Sequence, residues 1–142
     1  RMMELECSLI DYERIVDDEG RRLVSFSRFA GLAGMIDSLW AYGQRLRVEG
    51  RTTPLAELQQ ALHYPSLDDA LRHVREVGRA CRAAQMGSVI IALTGMGRVS
   101  RGALEVARHL EPELVAPEAL GAWELRPGFH LALFDVGDLV ER

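Results

Sequence analysis

The sequence predicts an α/β chain: a partial parallel sheet with flanking helices, preceded by a β-hairpin. Three observations carry that reading. Val89 to Leu93 is an apolar run of strand length, followed by the glycine turn Thr94-Gly95-Met96-Gly97. Val99, Ala103, Val106, Ala107 and Leu110 then recur at helical spacing. Earlier segments repeat apolar residues at steps of three and four, and later ones form short apolar runs. Strand, glycine turn and helix in succession make the opening unit of a Rossmann-like fold.

The elements follow in chain order. Leu9 to Phe26 reads as the hairpin, with Asp18-Glu19-Gly20 as its loop and Gly20 supplying a positive φ. Helix is the alternative for its first arm, but tyrosine and β-branched residues favour strand. A hairpin of this size is not stable alone in water and needs a surface to pack on. Arg28 to Val48 is the longest helix, with Phe29, Leu32, Ile36, Leu39, Trp40, Gly43 and Leu46 on its apolar side. Ala30, Gly31, Ala33 and Gly34 keep its first half thin, so a second element can approach closely, and Gly50 stops it. Thr53-Pro54 starts a second helix that ends at His63-Tyr64-Pro65. Ser66 caps a third, with Asp69 three residues on and a stripe of Leu67, Ala70, Leu71, Val74, Val77, Cys81 and Ala84. After the glycine turn and its helix, Glu113-Leu114-Val115 is a short second strand. Pro117 to Leu120 is a helical turn, Phe129 to Phe134 an alternating strand, and Asp135 to Arg142 the tail. The divisions are therefore 1–27, a hairpin segment; 28–86, crossover helices; and 87–142, the Rossmann-like portion.

The 142 residues, 48% hydrophobic and 27% charged, allow one domain with a real core. A net charge of −4 argues against a nucleic-acid surface, and no apolar run approaches a membrane span. No signal peptide is visible, and the expected compartment is the cytoplasm. Cys7 and Cys81 lack metal or redox spacing and read as reduced thiols. His63, His73, His109 and His130 are scattered and read as surface or boundary residues, so no metal site is expected. All 17 basic residues are arginines. With no lysine, the chain holds no Schiff-base residue and no lysine acid or base.

The glycine turn is the candidate site. Gly95 lets the chain turn where a Cβ would clash, and Gly97 lets backbone N–H groups approach a pyrophosphate. Arg98, Val99 and Ser100 open the helix behind it, whose N-terminus offers unpaired donors and a favourable dipole. Gly102 allows close packing of helix on strand. The spacing is G-x-G-x-x-x-x-G, with Ser100 where a third glycine often lies. A purely structural strand-to-helix turn is the alternative. Ser27 is a further candidate beside the cofactor, its alternative being a helix N-cap.

Thr94-Gly95-Met96-Gly97-Arg98-Val99-Ser100-Arg101-Gly102-Ala103-Leu104-Glu105-Val106 resembles the T-G-x-G-N-V-S-x-G-A-x-E-[IV] stretch of the lysine–ketoglutarate reductase/saccharopine dehydrogenase family, relatives of alanine dehydrogenase and the transhydrogenases. Arg98 departs from the usual asparagine. RRLVSFSRFAGLAGMID, from Arg21 to Asp37, is similar to the family's crossover from substrate domain to cofactor domain. Tyr64-Pro65-Ser66-Leu67 matches its Y-P-S-L. LVAPEAL and HLALFDVGDLVER are similar to its later stretches; separated motifs in the right order carry the resemblance, which runs from about residue 9 to 142.

The resemblance implies a middle slice of such an enzyme, covering the crossover and part of the cofactor domain. It implies an oxidoreductase that couples lysine and 2-oxoglutarate, or runs in reverse, with NAD(P). The family's lysine–histidine catalytic pair belongs to a substrate domain before Leu9, so no catalytic residue is expected here. Cofactor choice is read from the end of the second strand, where an NAD site ordinarily carries an acid about 20 residues after the glycines. Ala116 stands there, which removes repulsion against a 2′-phosphate and favours NADP over NAD. The expected partners are the dinucleotide and either a missing substrate domain or a second copy in a homo-oligomer. The alternative function is a non-catalytic interaction or regulatory module derived from the same fold.

Overall fold

A computed structural model describes residues 4–124, 126–135 and 137. Six regular elements organise it: α1 (Ser27–Val48), α2 (Leu67–Ala83), β1 (Ser88–Thr94), α3 (Arg98–Ala107), β2 (Glu113–Val115) and β3 (Gly128–Phe134). The tail read at 135–142 is described only at Asp135 and Gly137; its Leu-Val end lies outside the described residues.

Local chemistry sets the helix limits. Ser66 accepts a hydrogen bond from the Asp69 N–H at 3.1 Å and donates its hydroxyl to the Asp69 carboxylate at 2.7 Å. That reciprocal pair starts α2. Gly50, at φ +75°, follows the end of α1. Thr53 caps a turn as expected, its Oγ1 accepting from the Leu55 N–H at 3.2 Å. The helix expected over 53–62 is instead two 3-10 turns, Pro54–Glu57 and Ala61–His63. Side chains of α1 take the backbone groups that a continuous helix would have paired. Gln44 donates to the Ala56 carbonyl at 3.1 Å, and Asp37 accepts from the Ala61 N–H at 2.6 Å.

The hairpin is reduced in the same way. The chain does reverse at Gly20, with φ +76°, but the only pairing described between its arms is one antiparallel bridge, Val16 to Arg22. Asp17 holds the turn, its carboxylate accepting from the N–H groups of Glu19 and Arg21. Residues Tyr12–Arg14 of the first arm form a 3-10 turn rather than strand. Leu9, Ile10, Tyr12, Ile15, Leu23 and Phe26 are exposed, so the arms bury little that would draw them into a ladder.

The sheet is parallel throughout, in the order β1-β3-β2. Ser88 pairs with Gly128 and Thr94 with Phe134; Glu113 pairs with His130 and Val115 with Ala132. The last strand is thus the middle one, and β1 and β2 meet only through it. Val89, Ile91 and Leu93 of β1 join Phe129 of β3 against a core from all three helices, including Leu32, Ile36, Leu39, Val74, Val77 and Val106. Ile90 and Ala92, alternate positions on β1, are exposed. His130, expected at the surface, is buried on β3. Its Nε2–H donates to the Arg126 carbonyl at 2.9 Å and its ring stands edge-on to Trp123. Strand alternation placed it inside because the 117–123 segment covers that face of β3.

Candidate functional site

The glycine turn leaves the C-terminal end of β1. Gly95 has φ +75°, a left-handed conformation that glycine adopts without steric cost. Its N–H donates to the Phe134 carbonyl at 2.8 Å, tying the turn to the end of β3. Gly97 is the N-cap of α3 at φ −76°, ψ −175°, an extended conformation open to any residue. Nothing lies within 4 Å of the place its Cβ would occupy. The glycine here keeps space open rather than relieving backbone strain.

Behind Gly97, the first bond of α3 runs from the Arg101 N–H to the Gly97 carbonyl at 3.0 Å. The N–H groups of Arg98, Val99 and Ser100 therefore have no acceptor within the helix. They converge at the positive end of its dipole. Arg98 and Val99 are exposed and Ser100 is half-buried. An open cradle, a left-handed glycine and unpaired N–H donors fit a pyrophosphate.

Gly102 and Ser27 have other settings. Gly102 is buried, and a Cβ there would overlap the Arg28 carbonyl oxygen of α1. A Cβ on Gly31 would overlap the Val99 carbonyl oxygen. The third glycine of the motif thus packs helix on helix, not helix on strand. The crossing is fastened by Arg28, whose Nε and Nη2 donate to the two carboxylate oxygens of Glu105 at 3.0 and 2.6 Å. Ser27 opens α1 one turn before the crossing. It is not the cap, a position held by Phe26, and its hydroxyl lies 2.8 Å from that of Ser25.

At the other end of α3, His109 Nδ1 lies 2.9 Å from Arg75 Nη2. Burial, and next the Arg75 charge, push its pKa below the usual histidine value. Among the described residues no cluster of histidine, cysteine, aspartate or glutamate could hold a metal, and no helix is long and apolar enough to cross a membrane.

The strand that neighbours the turn is not the one the sequence suggested. Asp135 directly follows Phe134 and is exposed. The search for an acid looked at the end of β2, as though β2 neighboured β1. With β3 between them, the strand tip beside the turn ends in Asp135, and Ala116 lies one strand further away. The case for NADP drawn from Ala116 therefore loses its geometric ground. The signal available in the sequence was the acid immediately after the alternating run Phe129 to Phe134.

No family model matches the chain. Over 123 residues it is 39% identical to the mouse mitochondrial alpha-aminoadipic semialdehyde synthase. The same stretch is 39% identical to the rat enzyme, and 124 residues are 36% identical to alpha-aminoadipic semialdehyde synthase of Arabidopsis thaliana. The chain is homologous to one segment of the lysine–ketoglutarate reductase/saccharopine dehydrogenase family. Each match covers 84% of this chain but only 12–13% of the relative, so the chain spans about an eighth of their length. The glycine turn, the α1–α3 crossing and the three-stranded sheet are thus parts of an oxidoreductase-related segment of that family.

Proposed function

We propose that this chain forms the pyrophosphate-binding portion of an NAD(P) site in an oxidoreductase of the lysine–ketoglutarate reductase/saccharopine dehydrogenase family. The observation that carries it is the open space at Gly97, set against the unpaired N–H groups of Arg98, Val99 and Ser100. Gly95, Gly97, Arg98, Val99 and Ser100 hold the diphosphate. When bound, the cofactor supplies hydride-transfer chemistry. Ser27 and Gly102 act indirectly, through the helix crossing that fixes where α3 begins.

Hydride transfer between lysine, 2-oxoglutarate and saccharopine needs acid–base groups as well as cofactor. No lysine is present in the 142 residues, and the family's lysine–histidine pair has no counterpart here. The chain alone is therefore inactive, and its contribution is cofactor binding. A non-catalytic interaction role is the second reading, favoured by the exposed apolar residues from Leu9 to Phe26.

Titration of NADH and NADPH into wild type and Gly97→Val, followed by nucleotide fluorescence, tests the assignment. Wild type binds at least one of the two and the variant loses at least tenfold in affinity. Equal affinities would show that the turn is structural and favour the interaction reading.

A further inference from the structure

Charge is divided unevenly along the chain. Residues 4–22 hold seven acids and three arginines, a net −4 that equals the net charge of all 142 residues. Residues 72–109 hold seven arginines against two glutamates. On α2, Arg72, Arg75, Arg79 and Arg82 recur at steps of three, four and three, so they share one face. Arg75 Nη2 lies 2.9 Å from His109 Nδ1, and Arg82 Nη1 donates to the Leu110 carbonyl at 2.6 Å. The end of α3, with exposed Arg108, therefore borders the same face. Arg72 pairs with Asp69 and Arg82 with Glu111. Among the described residues, Arg75, Arg79 and Arg108 have no carboxylate partner.

The acidic segment is the opposite in charge and just as open. Its described ion pairs are internal: Arg21 with Asp17 and Glu19, and Arg22 with Glu13. Glu6 and Asp18 are exposed and carry no ion pair among the described residues. Leu5, Leu9, Ile10, Tyr12 and Ile15 lie exposed between these acids.

We propose that the acidic segment 4–22 of one copy docks on the arginine face of α2 in a second copy, and the reverse, in a two-fold dimer. Each chain carries both complementary surfaces, and no described ion pair joins them within one chain. A two-fold axis satisfies both contacts at once and closes the assembly. The apolar residues of the segment pack on the aliphatic stems of the arginines. The acids choose the face, because alignment of opposite charges sets partner and register. A nucleic acid does not fit this surface, since the acidic segments would repel it. The proposal is independent of the dinucleotide reading.

Sedimentation equilibrium at micromolar concentration tests it, with wild type, Arg75→Glu/Arg79→Glu and Glu6→Arg/Asp18→Arg. Wild type is a dimer whose dissociation constant rises about tenfold or more between about 50 mM and about 500 mM salt. Each double variant alone sets like charges against each other and dissociates about tenfold or more below wild type. Mixed in equal amounts, the two variants restore a dimer, because each now offers what the other lacks. All four altered side chains are exposed, so circular dichroism melts match wild type. A wild-type monomer at low salt would overturn the proposal. So would a dimer indifferent to salt, which needs no charge pairing, or variants that dimerise alone as well as wild type does. Two variants that stay monomeric when mixed would overturn it as well.

Discussion

The glycine turn and the α1–α3 crossing are built from one continuous motif, yet glycine does opposite things in them. At Gly97 the missing Cβ leaves open space at a helix end. At Gly102, five residues on, it lets two backbones touch, and Gly31 does the same from the facing helix. One glycine leaves space open and the other packs the chain against itself. A resemblance to a cofactor-binding stretch therefore mixes ligand contacts with packing contacts, and only the neighbours of each residue separate them.

Gly102→Val should break the comparison most forcefully. The side chain would collide with the Arg28 carbonyl, a backbone atom of a buried crossing that cannot move aside. Overpacking of this kind costs about 3 kcal/mol. Urea unfolding should show that loss, or no folded protein at all, and a melt like that of wild type would contradict the close crossing. Gly97→Val should leave stability within about 1 kcal/mol, because its φ suits any residue and the change is confined to an N-cap. The two variants together separate packing from the proposed binding: one should lose the fold, the other only affinity for a nucleotide.

Arg28→Ala sharpens the packing side. The Arg28–Glu105 pair is bidentate but half-exposed, so screening limits it to about 0.5–1 kcal/mol. A double-mutant cycle with Glu105→Gln, measured by urea unfolding, should return a coupling in that range, and a smaller one at high salt. The smallest effect is a pH dependence at the far end of α3. The pKa of His109 is lowered in the fold, so the unfolded chain binds its proton more readily. The contribution to stability is complete above the ordinary value of 6.5 and is lost as pH falls below it. Thermal melts between pH 7.5 and 5 should show that decline, and His109→Gln should flatten it.

Apart from these, the row from Leu9 to Phe26 is expected to be covered by a partner, a second copy being our proposal. Sedimentation at micromolar concentration should show a dimer; a clean monomer would remove that idea.

Much of this was legible because it is local. Ser66 with Asp69, Gly50 after α1 and the apolar run before Gly95 each act within a few residues, and each appears where the sequence puts it. Strand order is not local. A strand–helix–strand pattern reads as two neighbours, and nothing between Gly95 and Val115 announces that Gly128–Phe134 will lie between them. That single long-range fact places Ala116 one strand away from the turn. The 3-10 turns at 54–63 were hidden for a similar reason, since Asp37 and Gln44, from another helix, decide where their backbone groups go.

The central place of β3 also bears on how the molecule assembles. β1 and β2 are made first and have no hydrogen bond to each other, so neither has a partner until the last strand arrives. Closing the sheet requires Ser88 to find Gly128 across the whole intervening helix and β2, a non-local pairing of the slow kind. During synthesis the helices can gather while both outer strands wait with bare edges. The Gly95 N–H gains its Phe134 acceptor only with that last strand, so the glycine turn is tied down together with the closing of the sheet.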